Sequence, residues 1–249
     1  MRLTVLGCAG SYPSAESPAS SYLIEHDGHR IVLDLGNGSV GALQGHIALT
    51  WPGALDAVVL SHCHLDHCAD LGSLYVQRHY YSSTTERLPV LGPSDSRSRA
   101  VGIYGKADEA GLDEEFDFVT FGREPMLVGP FTIEVARAVH PVEAYSVRVT
   151  AGGRSITYSG DTAINDRLID LARDTDVALF EASFIGTDFP PGVHMSAGEA
   201  GRAAREAGAS RLVVTHLVSM NDPAVVLAEA TAAFDGPATL AASGLVIDV

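Results

Sequence analysis

The segment Ala57-Val58-Val59-Leu60-Ser61-His62-Cys63-His64-Leu65-Asp66-His67 passes from a β-branched apolar run straight into a row of cation-binding side chains. The run reads as a short buried strand. Just past it the chain is still extended, so His62 and His64 project to one side and Cys63 to the other, into the packing. Asp66 and His67 follow as the chain turns toward a helix, which gathers four ligand-type groups. Imidazole and carboxylate together suit zinc or another first-row divalent ion. Burying four such groups with nothing to satisfy them is costly. Cys63 and Cys68 flank the cluster and read as small apolar packing, with a cysteine ligand as the alternative.

Other strand candidates end in the same way. Ser155–Tyr158 runs into Ser159-Gly160-Asp161, Val177–Phe180 into Glu181, and Leu212–Val214 into Thr215-His216. Open α/β sheets bind ligands beyond the carboxyl ends of their strands, so these residues are expected to share one site. Further strands are expected at Leu3–Cys8, Ser21–Glu25, Arg30–Leu35, Pro89–Leu91, Phe131–Ala136, Ser146–Thr150 and Leu245–Val249, each bounded by turn formers. Ser196-Ala197-Gly198-Glu199 has the form of a capping box, opening a helix that ends near Gly208. Asp222-Pro223 reads as an N-cap followed by an N1 proline, opening a helix that stops before Gly236. Early hairpin-like strands followed by strand–helix units indicate a layered α/β protein. With no repeat and no linker, residues 1–249 are expected to form one domain.

Composition narrows the class. Of 249 residues, 46% are hydrophobic and 19% charged, which describes a globular chain with a full core and not a disordered one. The longest apolar stretches fall far short of the ~20 residues that a spanning helix needs. Met1–Gly7 is patterned like a strand and is too short for a signal peptide, and three cysteines cannot build a disulfide framework. A cytoplasmic location is therefore expected. The formal net charge is −15, and Lys106 is the only lysine. Arg78, Arg87, Arg97 and Arg99 make a thin basic cluster, so a large nucleic acid is disfavoured as a partner, whereas a small anion drawn to a bound metal is not. The acidic run Asp108–Asp117 reads as solvated surface. The Tyr-containing segment Leu71–Gly105 suits either a cleft wall or a homodimer face.

The cluster His62-Cys63-His64-Leu65-Asp66-His67 has the form His-x-His-x-Asp-His, and His140, Gly160-Asp161-Thr162 and Thr215-His216 follow it in order. This set resembles the metallo-β-lactamase superfamily over nearly the whole chain. The resemblance implies a four-layer αββα sandwich with metals at the edge between its halves. It implies that His62, His64 and His140 hold one divalent ion, that Asp66, His67 and His216 hold a second, and that Asp161 bridges them. Zinc is the first expectation, with manganese or iron as alternatives.

Asp161 stands where the β-lactam-cleaving branch has a cysteine, which argues against an antibiotic-destroying role. Leu6-Gly7-Cys8-Ala9-Gly10-Ser11, Ser20-Ser21-Tyr22-Leu23, Phe180-Glu181-Ala182-Ser183-Phe184 and His194-Met195-Ser196 resemble the branch of RNase Z-type tRNA 3′-processing endonucleases and related cyclic-nucleotide phosphodiesterases. This resemblance implies that Glu181 and His194 correspond to an acid–histidine pair assisting departure of the leaving group; Asp66, besides ligating the second metal, is expected to orient the nucleophile. RNase Z-type enzymes carry a tRNA-gripping arm between the positions of His140 and Asp161, too close here for such an arm. His216 is followed by Leu217-Val218-Ser219-Met220-Asn221, without the Arg-Tyr of those enzymes. The expectation is a hydrolase of a small phosphodiester such as a cyclic nucleotide. An RNase Z-type endonuclease, or a thioesterase or lactonase on the same scaffold, is the alternative.

Overall fold

The computed structural model of the chain describes residues 1–49, 54–105 and 110–249. Its strands form two seven-stranded sheets. The first contains β1 (Arg2–Gly7), β2 (Ser21–His26), β3 (His29–Leu33), β4 (Ala57–Val59), β5 (Leu88–Gly92), β6 (Phe116–Thr120) and β14 (Val246–Asp248), in the order β14-β1-β2-β3-β4-β5-β6. The second contains β7 (Met126–Val128), β8 (Phe131–Arg137), β9 (Tyr145–Ala151), β10 (Arg154–Tyr158), β11 (Val177–Glu181), β12 (Leu212–Thr215) and β13 (Ala238–Leu240), in the order β13-β12-β11-β10-β9-β8-β7. Each sheet opens with antiparallel hairpin pairings and continues parallel: β3-β4-β5-β6 in the first, β10-β11-β12-β13 in the second.

The period-two alternation of the strands builds the layers. Leu3, Val5, Tyr22, Ile24, Ile31, Leu33, Ala57 and Val59 face the second sheet, where Val147, Ile156, Leu179 and Val213 meet them in one core. Their neighbours Leu23, Val32, Val58 and Leu60 turn outward beneath α1 (Ser39–Leu43), α3 (Leu71–Tyr81) and α4 (Ser96–Tyr104). On the far side Ala178, Phe180, Leu212 and Val214 pack under α6 (Asp166–Leu171), α7 (Ala197–Glu206) and α8 (Pro223–Phe234). This is the αββα sandwich expected from the sequence. Among the described residues no helix is long and apolar enough to cross a membrane.

Local chemistry accounts for the boundaries. The Ser196 hydroxyl accepts from the Glu199 amide while the Glu199 carboxylate accepts from the Ser196 amide, so the capping box starts α7. Asp222 caps α8, with Pro223 in its first turn. Three strands, β6, β7 and β13, lie outside the sequence expectation. All three end a sheet order, where half of the backbone bonding is absent and the apolar pattern is weak. Of the acidic run, Asp108 and Glu109 lie outside the described residues, as does Lys106. The remainder forms α5 (Ala110–Glu115) and opens β6, burying Leu112 and Phe116. Leu71–Gly105 forms α3, β5 and α4, with Tyr75 buried and Tyr80 and Tyr81 exposed. Arg78, Arg97 and Arg99 of the thin basic cluster each face a carboxylate, those of Glu115, Asp113 and Asp95.

Candidate metal centre

The parallel strands carry their carboxyl ends to one edge of the sandwich. Past β4 come His62 and His64, with α2 (Leu65–Cys68) presenting Asp66 and His67 from its single turn. Past β10 comes Asp161, at the end of β11 Glu181, and past β12 His216. The β8–β9 connection brings in His140, and the segment before α7 brings in His194. Gly160 permits this convergence. At φ +56 it takes a left-handed turn, and a Cβ there would lie 2.8 Å from the Tyr145 carbonyl and 2.9 Å from the Ser61 Cβ.

Two four-membered sets of donor atoms each fall within 4.8 Å of one another: His62, His64, His140 and Asp161, and Asp66, His67, Asp161 and His216; Glu181, His194 and His216 form a third, smaller set beside them. In the first, His64 Nδ1 lies 3.1 Å from both His62 Nε2 and His140 Nε2. In the second, His67 Nε2 is 3.4 Å from Asp66 Oδ2 and 3.2 Å from Asp161 Oδ1. His216 Nε2 is 3.2 Å from Asp66 Oδ2 and 3.4 Å from Asp161 Oδ2. Asp161 joins the sets, since its Oδ2 is also 3.6 Å from His62 Nε2. His62, His67 and His216 are fully buried, whereas His64, His140 and His194 are half-buried.

Counting protons shows that these side chains suit a cation. His140 Nδ1 faces the Val193 carbonyl at 2.9 Å and therefore carries the hydrogen, leaving Nε2 bare. Ser61 gives its hydroxyl proton to Asp34 Oδ2 at 2.7 Å, so His62 Nδ1, 3.1 Å away, is the donor to Ser61 and its Nε2 is bare as well. His67 Nδ1 donates to Asp34 Oδ2 at 2.7 Å. Bare imidazole lone pairs thus point inward among carboxylate oxygens, and His67 Nε2 and Asp161 Oδ1 are buried without a hydrogen-bond partner. Such a donor set, anchored from outside, fits first-row divalent cations.

The electrostatics agree. Burial, aided by neighbouring imidazoles, lowers the pKa of His62 well below the ordinary value, and burial lowers His64 and His140. Burial alone would lower His67, but the charges of Asp161 and Asp34 outweigh it and raise it well above that value. Burial would raise Asp161, yet His216, His67 and His62 hold it well below the usual carboxylate range. Asp66 is likewise lowered against its burial by hydrogen bonds from His216 and His67. Asp66 and Asp161 thus stay ionised and His62, His64 and His140 neutral, the state in which each binds cations, while His67 is drawn toward its protonated form by the carboxylates facing it.

Beside this centre, His194 Nδ1 lies 2.8 Å from Glu181 Oε1 and 3.9 Å from Asp161 Oδ2. Glu181 is fully buried, and its Oε1 also accepts from the Thr162 amide at 2.9 Å. Burial alone would lower His194, but the hydrogen bond and charge of Glu181 prevail and raise it. All nine side chains singled out in the sequence are thus gathered in one place. Cys63 and Cys68 stand apart from both donor sets. They are buried under the outer helices, with Cys63 Sγ 3.7 Å from Ser96 Oγ.

Asp34, which follows β3, is a further residue of the site that lies outside the sequence expectation. It is fully buried at φ +57, a left-handed conformation rare outside glycine. Its Oδ1 accepts from the Ser61 amide at 2.7 Å, and its Oδ2 accepts from Ser61 Oγ, His67 Nδ1 and Tyr158 OH at 2.7–2.8 Å. The signal was present: an aspartate after the apolar run Ile31–Leu33 obeys the strand-end rule that picked out the others.

The model of the beta-lactamase superfamily domain matches residues 29–217. The chain belongs to that superfamily. It is 40% identical to an uncharacterized protein of Mycobacterium leprae, over all of this chain and 89% of the relative. It is 32% identical to the "Probable metallo-hydrolase YhfI" of Bacillus subtilis, over 99% of each chain. The crystal structure of YhfI, described as a metallo-β-lactamase fold protein, superposes with a TM-score of 0.88 at 31% identity, covering 99% of both chains. A ribonuclease Z of Methanosarcina acetivorans is 27% identical over 88% of each chain, in keeping with the RNase Z-like branch.

Proposed function

We propose that this protein is a dinuclear metal-dependent hydrolase that cleaves small phosphodiesters, with a cyclic nucleotide as the leading substrate. The observation that carries this reading is the 2.8 Å contact between His194 and Glu181, set beside two joined donor sets. His62, His64 and His140 would hold one divalent cation, and Asp66, His67 and His216 a second, with Asp161 serving both. Zinc suits these donors, and manganese or iron are the alternatives. When bound, such cations supply Lewis acidity, acidifying a water and neutralising charge on phosphoryl oxygens.

The chain's own groups supply the rest. Glu181 holds Nδ1 of His194 and favours the protonated ring, so Nε2 is the nitrogen left to give a proton to the departing alkoxide. General acids of this kind contribute about 10²–10⁴-fold. Asp66 orients the attacking oxygen.

Two observations favour a small substrate. Between His140 and Asp161 the chain holds β9 and β10 joined by a Gly152-Gly153 turn, which leaves no length for a nucleic-acid-gripping arm. The net charge of −15 repels polyanions. Hydrolysis of bis(p-nitrophenyl) phosphate and a panel of cyclic nucleotides by the metal-loaded protein tests the proposal. Cleavage of these, with no processing of precursor tRNA, supports it. Turnover of thioesters or lactones alone overturns the phosphodiester assignment.

A further inference from the structure

Three histidines of the centre are anchored from outside by acceptors already named: Val193 for His140, Ser61 for His62 and Asp34 for His67. His216 is held as His62 is, through a serine hydroxyl backed by a carboxylate, but here the carboxylate is that of the acid–histidine pair. It sits at φ +54 past β12, and its Nδ1 lies 2.8 Å from the hydroxyl of Ser183. Ser183 is buried, and its Oγ is also 2.9 Å from Glu181 Oε2. A serine hydroxyl has one hydrogen, and a carboxylate can only accept. The hydrogen therefore goes to Glu181, and the hydroxyl lone pair takes the Nδ1–H of His216.

We infer that Ser183 is a positioning residue that ties the metal-ligand His216 to the acid–histidine pair through one carboxylate. Glu181 divides its two oxygens between the halves of the site. Oε1 orients His194 at 2.8 Å, and Oε2 fixes His216 through Ser183. The same oxygen accepts the Ser183 amide at 3.2 Å, and the Asn221 side chain donates to the Ser183 carbonyl at 3.0 Å, so the serine is held at both ends. With Nδ1 committed to the hydroxyl, Nε2 of His216 is the nitrogen turned toward Asp66 and Asp161. The inference rests on the reading of His216 as a ligand, but its test does not depend on turnover.

The experiment compares Ser183→Ala and Ser183→Thr with the wild-type protein. Ser146→Ala, another buried serine whose hydroxyl donates to the Ser159 carbonyl at 2.7 Å, controls for loss of a buried hydroxyl elsewhere. Zinc affinity is measured by chelator competition, and the imidazole N–H protons are followed by NMR. In the wild type a slowly exchanging His216 Nδ1–H is expected. Ser183→Ala should lose that signal and bind zinc about 10–100-fold more weakly, the effect typical of removing an anchor behind a ligand. Ser183→Thr, which keeps the hydroxyl, should restore both, and Ser146→Ala should change neither. An unchanged His216 proton and unchanged affinity in Ser183→Ala overturn the inference. If even the wild type takes up no zinc, the metal-centre reading fails, while the His216 proton still decides whether Ser183 holds the ring.

Discussion

Asp34 Oδ2 lies 2.7 Å from Nδ1 of His67, with both side chains fully buried. That one oxygen also takes the hydroxyl protons of Ser61 and Tyr158, so a single carboxylate aims His67, anchors the partner of His62 and bonds across to the second sheet. Asp34→Asn places an NH₂ where only donors point. The expected result is a loss of about 10–100-fold in zinc affinity with the protein still folded, measured by chelator competition alongside circular dichroism.

His194→Ala separates proton donation from metal holding. The variant should lose about 10²–10⁴-fold in kcat on phosphodiesters with poor leaving groups while retaining its cations. A leaving group such as p-nitrophenolate needs little protonation, so the loss there should be smaller. Elemental analysis of the purified variant provides the control: disappearance of metal would reassign His194 to the ligand set.

Gly36 marks the closest approach behind the cluster. A Cβ there would stand 2.1 Å from the Asp66 carbonyl oxygen and 2.8 Å from the Ala19 Cβ. Gly36→Ala must push α2 outward, carrying Asp66 and His67 with it. A destabilisation of about 3 kcal/mol in urea unfolding is expected, together with weaker zinc binding. Retention of both properties would mean that the loop yields without moving the site.

The capping box of α7 is separable from the chemistry although it begins two residues after His194. Ser196→Ala should cost about 1 kcal/mol in urea unfolding. Metal content should be unchanged.

Metal and stability are linked. Because bare lone pairs and carboxylates face one another in the centre, cations should bind the folded state far better than the unfolded one. Thermal midpoints should therefore rise with zinc concentration, with about 2.7 kcal/mol gained at a hundredfold excess over Kd, and fall on chelation.

Much of this is legible in the sequence. The strands that place the ligands are buried on both faces, so they stand out as short uncharged runs rich in apolar residues, and each ends in a residue whose chemistry does not belong in a core. That is why His62, Asp161, Glu181 and His216 could be found from the sequence. The edge strands β6, β7 and β13 left no such mark. β7 and β13 are only three residues long and β6 buries only one face, with Asp117 and Val119 exposed, and their pairing depends on a neighbour distant in sequence or on a turn. Asp34 and Ser183 were missed for another reason. Asp34 ends an apolar run as the ligands do, but its role and that of Ser183 lie in hydrogen bonds between different strands, which no local spacing encodes. Pairing Asp34 with His67 requires the parallel register of β3 on β4, and pairing Ser183 with His216 that of β11 on β12.

Asp161 is the group on which the dinuclear reading depends most, since it alone belongs to both four-membered donor sets. The most direct test is to purify the wild type and Asp161→Ala without chelator and to measure divalent metal per chain together with cleavage of bis(p-nitrophenyl) phosphate and cyclic nucleotides. About two ions per wild-type chain are expected, as a filled two-metal site requires. Metal-dependent cleavage by the wild type is expected too, with loss of both cleavage and full metal loading in Asp161→Ala. A wild-type protein that holds no metal under any loading condition, or a variant that cleaves these phosphodiesters as well as the wild type, would contradict the dinuclear reading.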